Sequence, residues 1–493
     1  MEEQSSTSTG SGSPPKPSKQ IRLDGRTLEG GGQLVRIALA LSSLTGRSVI
    51  IDHIRGNREG KKGLRGSHAA AVQLLADISG SIVSGGDVGS QSLCFFSPHD
   101  DVSPLISASR ASLISPSNLR VQSEYDIRLP TAGSIFLVFQ ALYPYLLHVG
   151  SQAATPCIKA TITGGTNVSY APSYDYASQV MAPNFARLGL PRLSVQLHSR
   201  GWSSGSTNLG AVSFFVHPLG SYEGQDGEIE DKTLAEGQND DTLRPRGCFP
   251  RISIMDYERG KMTRIDITVL APDNPCLGAS TVRQYAEHAI QHTLRHELKS
   301  LDPSIFETHS PRHHDPLSDT LEGDLPVLIH IHTSERTYHR SHLYFLIVAH
   351  TSTGFRIGHN ALFGSYGGDQ PKRAKHHKKR KGPKDKSRNS QDDVAVVQNL
   401  VDQCVQGFIQ EVTNQNPDMR TDQAPDSEIG KRACLDMYMR DQIVVFEALG
   451  QLCGENMKKK PGEHDSKMED ERYWTLHTKT AQWVCSQMLD DQT

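Results

Sequence analysis

No CxxC pair occurs among the eight cysteines, which stand at 94, 157, 248, 276, 404, 434, 453 and 485. That absence excludes a paired-thiol zinc knuckle and a thioredoxin-like redox motif. Scattered cysteines in a chain this long fit a reducing compartment. No uninterrupted apolar run approaches the roughly 20 residues that cross a bilayer; LIVAH and FLVFQALYPYLL have the length of core segments, and no membrane association is expected. The N-terminus, MEEQSSTSTGSGSPPKPSKQ, holds no apolar stretch of signal-peptide type, so residues 1–19 read as a disordered tail. Neither GxGxxG nor a Walker A is present, because no GK[ST] follows any glycine-rich turn. A large excess of one charge is also missing, the net being −3.

What is present is unevenly placed. The stretch PKRAKHHKKRKGPKDKSR carries ten Lys/Arg and one Asp, about +9, which leaves about −12 for the rest of the chain. Any contact with nucleic acid must therefore come from local patches. The run at 372–388 reads as a nuclear-import signal, a direct nucleic-acid contact or a solvated loop. With 493 residues, two or three domains are expected.

Strand and helix signals alternate. IRLDG, LVRIALALSSLTG, SVIIDHI and SHAAAVQLLADISG give β-α-β-α, the helices closing at Gly46 and Gly80 and the second capped by Ser67. SIVSGG and SLCFFSP read as paired strands. A similar round starts near 125 with YDIRLP, TAGSIFLVFQALYPYLL, CIKATITGG and SYDYASQVMAPNFARLG, then SVQLHSRG and AVSFFVHPLG. Two such rounds indicate an internal duplication. A β-rich segment with one long helix follows and reads as an inserted α+β domain.

Several stretches carry candidate chemistry. In LEGGGQLVR, three glycines permit close approach of a ligand, the helix start offers amides to an anion, and Arg36 and Glu29 lie close by. The bland alternative is a helix-opening turn. NREGKKGLRGSH places Arg58, Lys61, Lys62, Arg65 and His68 in a cationic loop, either a phosphate site or a solvated face. GGTNVSYAPSYDY reads as a precise turn with Asp175 entering a helix. His309, His313 and His314 fit no strong zinc spacing, and His330 and His332 share a strand face. His477, in YWTLHTKTA, is a packed helix residue, a metal ligand or a nucleophile. A neutral imidazole can attack phosphorus to give a phosphoramidate, but it needs cationic or metal partners. Sequence spacing alone does not bring it to Glu29 and Arg36.

Taken in order, DGRTLEGGGQLVRIALALSSLTG, GLRGSHAAAVQLL, TAGSIFLVFQALYP, GGTNVSYAPSYDY, HTSTGFRIG, YMRDQIVVFEAL and LHTKTA resemble the RNA 3'-terminal phosphate cyclase family over roughly residues 20–485. The resemblance implies an α+β fold: a large domain of repeated βαβαββ units with a smaller α+β domain inserted in its last part. We place the large domain at 20–244 and 357–493, the insert at 245–356 and a basic linker at 365–392. It implies ATP-dependent conversion of an RNA 3'-phosphate to a 2',3'-cyclic phosphodiester through a histidine–AMP adduct, with Mg²⁺ or Mn²⁺. His477 matches the nucleophile. Glu29 matches an acidic residue near adenylate and metal, with Gln33, Arg36, Gln140, Asp441 and Gln442 as nucleotide-site companions and Phe355 as adenine-packing residue. Arg58, Arg65, His68 and Arg200 match groups expected to meet RNA phosphate. RGWSSGSTNLGAV departs from the family's R-G-x-x-P-x-G-G-G. The alternative is a catalytically silent relative that scaffolds ribosome assembly. The basic run implies a nuclear address, in nucleoplasm or nucleolus.

Overall fold

The computed structural model describes residues 20–58, 60–98, 111–115, 121–152, 156–220, 247–276, 280–307, 327–365, 390–413, 433–453 and 473–490. The N-terminal tail, most of the acidic insertion at 220–243, the His309–His314 cluster and the basic run at 372–388 lie outside these residues.

The described residues form an α+β fold with three four-stranded mixed sheets. The first runs β1 (Ile21–Asp24), α1 (Gly32–Thr45), β2 (Val49–Asp52), α2 (Gly66–Ser79), β3 (Ile82–Ser84) and β4 (Leu93–Phe96). Its strand order is β1-β2-β4-β3, with β1 and β2 parallel and the other pairings antiparallel. Gly46 and Gly80 end α1 and α2 with φ of 73° and 70°, each N–H returning to a carbonyl four residues back. The cap of α2 differs from expectation. The helix starts at Gly66, so Ser67 lies inside its first turn, and the His68 ring instead accepts the Arg65 N–H at 3.3 Å.

The second sheet is built from β5 (Glu124–Arg128), α3 (Ile135–Val149), β6 (Ile158–Gly164), β7 (Leu193–Ser199) and β8 (Gly210–Val216). Between β6 and β7 run α4 (Tyr174–Tyr176), a π-helical stretch (Ala177–Met181) and α5 (Ala182–Arg187). Its order, β5-β6-β8-β7, and its pairing senses match the first sheet. Ser134 caps α3 by accepting the Leu137 N–H at 3.2 Å.

The third sheet has β9 (Met262–Pro272), β10 (Leu328–Thr337), β11 (Tyr344–Thr351) and β12 (Arg356–Leu362) in the order β10-β9-β11-β12. One face packs on α6 (Val282–Leu298) and α7 (Ser390–Thr413), forming a second core that runs from Met262 to Val412. The other face puts Leu270, Tyr344, Leu346 and Val348 into the main core. Burial on both faces explains why β11 reads as a continuous apolar run rather than an alternating one.

Two C-terminal helices complete the main core: α8 (Met437–Cys453), and α9 (Leu476–Leu489), which packs on α1 and α8. Along α9, Val484, Met488 and Leu489 are buried. Each contributes roughly 1.5–3 kcal/mol, so burial anchors the back of the helix. Its first turn, with Leu476 and His477, faces outward. No described helix is long and apolar enough to cross a membrane.

Candidate active site

The glycine-rich turn and the start of α9 meet. The Glu29 N–H donates to Thr480 Oγ1 at 3.2 Å, which stitches the turn to α9 across more than 400 residues. His477 Nδ1 then lies 3.1 Å from Gln33 Oε1 and 3.3 Å from Glu29 Oε2. Glu29 is buried, while the His477 side chain keeps 51% exposure, so one edge of the ring is held and the other is open. Both groups facing Nδ1 are acceptor oxygens. Nδ1 therefore carries the proton, and the Nε2 lone pair is the free one. Partial burial, then the charges of Arg58 and Arg36, lower the His477 pKa to about 4. The ring is neutral at physiological pH, as a nucleophile requires.

The turn is tight. Gly30 has φ of 60°, and a Cβ there would strike the Gly25 carbonyl. A Cβ at Gly32 would collide with His68 Nε2 and the Arg36 guanidinium. Facing this turn is the β2–α2 loop, where the Arg55 N–H donates to the Gly30 carbonyl at 2.9 Å. Leu28, His53 and Arg55 all adopt positive φ, a concentration of backbone strain at the crossing.

Four guanidinium groups gather around this crossing. Arg58 contacts the Glu29 carboxylate. His68 is buried, and its pKa falls to about 3 through burial and the charges of Arg36, Arg55, Arg65 and Arg58. Its Nδ1 accepts the Arg65 N–H, so the neutral ring presents Nε2–H as a donor. Arg55 was not singled out in the sequence, although it stands three residues before Arg58 in the same glycine-containing loop. Lys62, which was grouped with the candidate cations, turns onto its own loop and donates to the Gly56 carbonyl at 2.7 Å.

A cleft opens beside Gln33. Gln33, Arg36, Gln140, Asp441 and Gln442 line it together with Phe139, Tyr143, Met181 and Phe185. Gln140 Nε2 donates to Gln442 Oε1, which ties α3 to α8, and Gln442 in turn donates to Asp441. Burial raises the Asp441 pKa to about 7, although Gln442 and Arg36 oppose the rise. Burial lowers that of Arg36 to about 10, which still leaves it cationic.

Two expected residues do not join the group. Phe355 is fully buried, edge-on to Tyr257 at 5.6 Å and beneath Arg187, so it has no face left for a base. Tyr438, one helical turn before Asp441 on α8, is 40% exposed and packs edge-on to Tyr176 at 6.4 Å. Arg200 is largely buried and held by carboxylates. Its guanidinium grips Asp175 through two hydrogen bonds, at 2.8 and 3.0 Å, and Glu335 at 2.8 Å. Burial lowers its pKa, but the two carboxylates more than offset this and raise it overall. The altered motif after Arg200 has its own packing: Trp202 stacks on His342 at 4.5 Å, and a Cβ at Gly201 would strike backbone of Gly164 and Gly210.

A profile of the RNA 3'-terminal phosphate cyclase family matches residues 27–493. The chain belongs to that family. It is similar to the RNA 3'-terminal phosphate cyclase of Korarchaeum cryptofilum, 34% identical over 252 residues that cover 50% of this chain and 63% of the relative. The corresponding protein of Desulfurococcus amylolyticus is 34% identical over 181 residues, 37% of this chain and 43% of the relative. That of Pyrobaculum aerophilum is 36% identical over 182 residues, 37% and 44% respectively. The chain spans about half the length of the curated relatives it matches. Membership of the cyclase family raises the question of a divalent cation. Among the described residues no group of three or more His, Cys, Asp or Glu side chains is placed to hold a metal. Beside His477, Glu29 offers a buried carboxylate, and neither of its oxygens has a well-formed hydrogen bond. A single carboxylate fits the mode in which Mg²⁺ takes one or two protein oxygens and completes its shell with phosphate and water.

Proposed function

We propose that this chain converts an RNA 3'-terminal phosphate to a 2',3'-cyclic phosphodiester, using ATP and a covalent His477–AMP adduct. The convergence of His477, Gln33 and Glu29 beside the guanidinium cluster carries this reading. His477 Nε2 attacks the α-phosphorus of ATP; an N–P bond forms and the P–O bond to pyrophosphate breaks. Positive charge develops on the imidazole as this happens. The Glu29 carboxylate, 3.3 Å from Nδ1, stabilises it. Arg36, Arg55, Arg58 and Arg65, with His68 Nε2–H, counter the charge of the phosphates. An oxygen of the RNA 3'-phosphate then takes AMP from His477. The vicinal 2'-OH attacks the activated phosphorus, loses its proton and expels AMP, a ring closure favoured by proximity. Only RNA carries that hydroxyl. Mg²⁺ or Mn²⁺ held by Glu29 and phosphate oxygens would add Lewis-acid polarisation.

Gln140, Asp441 and Gln442 would form the nucleotide side of the site. We assign the first two sheets to copies of the expected βαβαββ unit, and the second core to the inserted α+β domain, extended beyond residue 356 to take in α7. The basic run at 372–388 supports nuclear import, tested by deleting it from a fluorescent fusion. The scaffold alternative draws on the altered motif after Arg200, but that motif packs on the third sheet, and Arg200 faces Asp175 rather than His477.

Two expectations follow from the electrostatics. A depressed histidine pKa leaves the nucleophile neutral above about pH 4. The pre-steady-state rate of adenylyl transfer to His477 should hold as pH falls from 8 to 5 and drop through pH 4. A rate halved near pH 6.5, the ordinary histidine value, would contradict this. Gly32→Ala should weaken ATP binding by about tenfold or more, roughly 1.4 kcal/mol, because the added methyl displaces His68 or Arg36. Isothermal titration with ATP measures it, and unchanged affinity would show that the close approach at Gly32 is dispensable.

A further inference from the structure

One buried hydroxyl joins the two halves of the candidate site. Thr480 stands on α9, three residues beyond His477, and is fully buried. Its Oγ1–H donates to the Leu476 carbonyl at 2.7 Å, and the same oxygen accepts the Glu29 N–H at 3.2 Å. With its single proton committed to the carbonyl, the oxygen faces Glu29 as an acceptor only. Both bonds end on atoms next to the reacting groups. The Leu476 carbonyl belongs to the peptide unit that supplies the His477 nitrogen. The Glu29 N–H sits at the base of the side chain whose carboxylate stands 3.3 Å from His477 Nδ1.

Helix formation does not account for this hydroxyl. Thr and Val have similar helix propensities, and a bond back to the carbonyl four residues earlier slightly disfavours a helix. A buried hydroxyl is costly unless its hydrogen bonds are made. Here one of them crosses to a segment more than 400 residues away. Burial of Val484 and Met488 holds α9 in the core, but apolar packing is non-directional. A hydrogen bond fixes direction as well as distance. The Glu29 carboxylate is confined from a second side, because it lies over Gly31, where a Cβ would strike Oε1.

We propose that Thr480 is a positioning residue for adenylyl transfer: its hydroxyl sets the backbone of Glu29 against that of His477 and so holds the carboxylate where positive charge develops on the imidazole. Being fully buried, Thr480 meets neither ATP nor RNA and acts only through these two residues. This rests on reading His477 as the nucleophile, and adds to it the group that sets the geometry of the pair.

The test is the single-turnover rate of labelling of the full chain with α-labelled ATP, measured over a range of ATP concentrations. Thr480→Val keeps the volume and branching and removes the hydroxyl. Its maximal rate should fall at least about tenfold, with the ATP concentration for half that rate unchanged within about twofold, because the nucleotide contacts stay and the geometry of attack is lost. Thr480→Ser keeps the hydroxyl and should label within about threefold of wild type. A packing role gives the reverse order, since serine loses the methyl group and valine does not. A Thr480→Val protein that labels at the wild-type rate, a loss confined to the ATP concentration required, or a Thr480→Ser protein as slow as Thr480→Val overturns the inference and leaves the cyclase reading standing. If Thr480→Val does not fold, Thr480→Ala is measured in its place. Failure of both to fold while Thr480→Ser folds assigns the hydroxyl to stability alone and overturns the positioning role. A wild type that takes no label overturns the reading of His477, and this inference with it.

Discussion

His477→Ala is expected to abolish covalent labelling by α-labelled ATP, a loss of at least roughly 10³-fold, because the group that forms the bond is gone. The fold should be untouched. His477 sits in the first turn of α9 with about half its side chain in solvent, and the helix is anchored by burial further along. Surface substitutions of this kind usually stay within about 0.5 kcal/mol of wild type. ATP should still raise the melting temperature of the variant, since the cleft residues Gln140, Asp441 and Gln442 are unchanged. Loss of labelling with retention of nucleotide-induced stabilisation separates a nucleophile from a packing residue. Labelling at the wild-type level would remove His477 from the chemistry.

Arg200→Met is expected to give the largest loss of stability, roughly 3–5 kcal/mol. Asp175 is almost completely buried, and both of its oxygens rely on the Arg200 guanidinium. Without the arginine a carboxylate is stranded in the interior. Glu335, on β10, is 42% exposed at its side chain and can turn to solvent, so its share of the loss is small. Urea denaturation measures the effect, and the double variant Arg200→Met/Asp175→Leu should recover much of it. Were Arg200 instead an RNA-phosphate ligand, the single variant would melt like wild type and lose RNA affinity.

These two arginine and histidine positions mark what could be read from the chain. The glycine-rich turn, the caps at Gly46 and Gly80, and the two strand-helix rounds follow from local rules of dihedral preference and periodicity. The cationic loop at Arg58, Arg65 and His68 is visible as a cluster, whereas Arg55 stands apart from it along the chain and joins it only through the fold. That Glu29 and His477 adjoin has no signature in spacing, since it depends on α9 packing against α1. The carboxylate partners of Arg200 have no signature for the same reason: they are 25 residues before it and 135 after it. A lone arginine at a strand end looks alike whether it faces a carboxylate or a phosphate. Phe355 shows the matching difficulty for aromatics, because hydrophobicity serves a core and a base-binding wall equally well.

The most direct measurement is the site of the adduct itself. Wild-type protein is incubated with ATP and Mg²⁺, digested under alkaline conditions that preserve phosphoramidates, and the peptides are sequenced by mass spectrometry. AMP should be found on the segment containing residues 473–490, attached to His477 and released by mild acid. AMP on a lysine, or nucleotide bound tightly with no covalent adduct, would contradict the central claim.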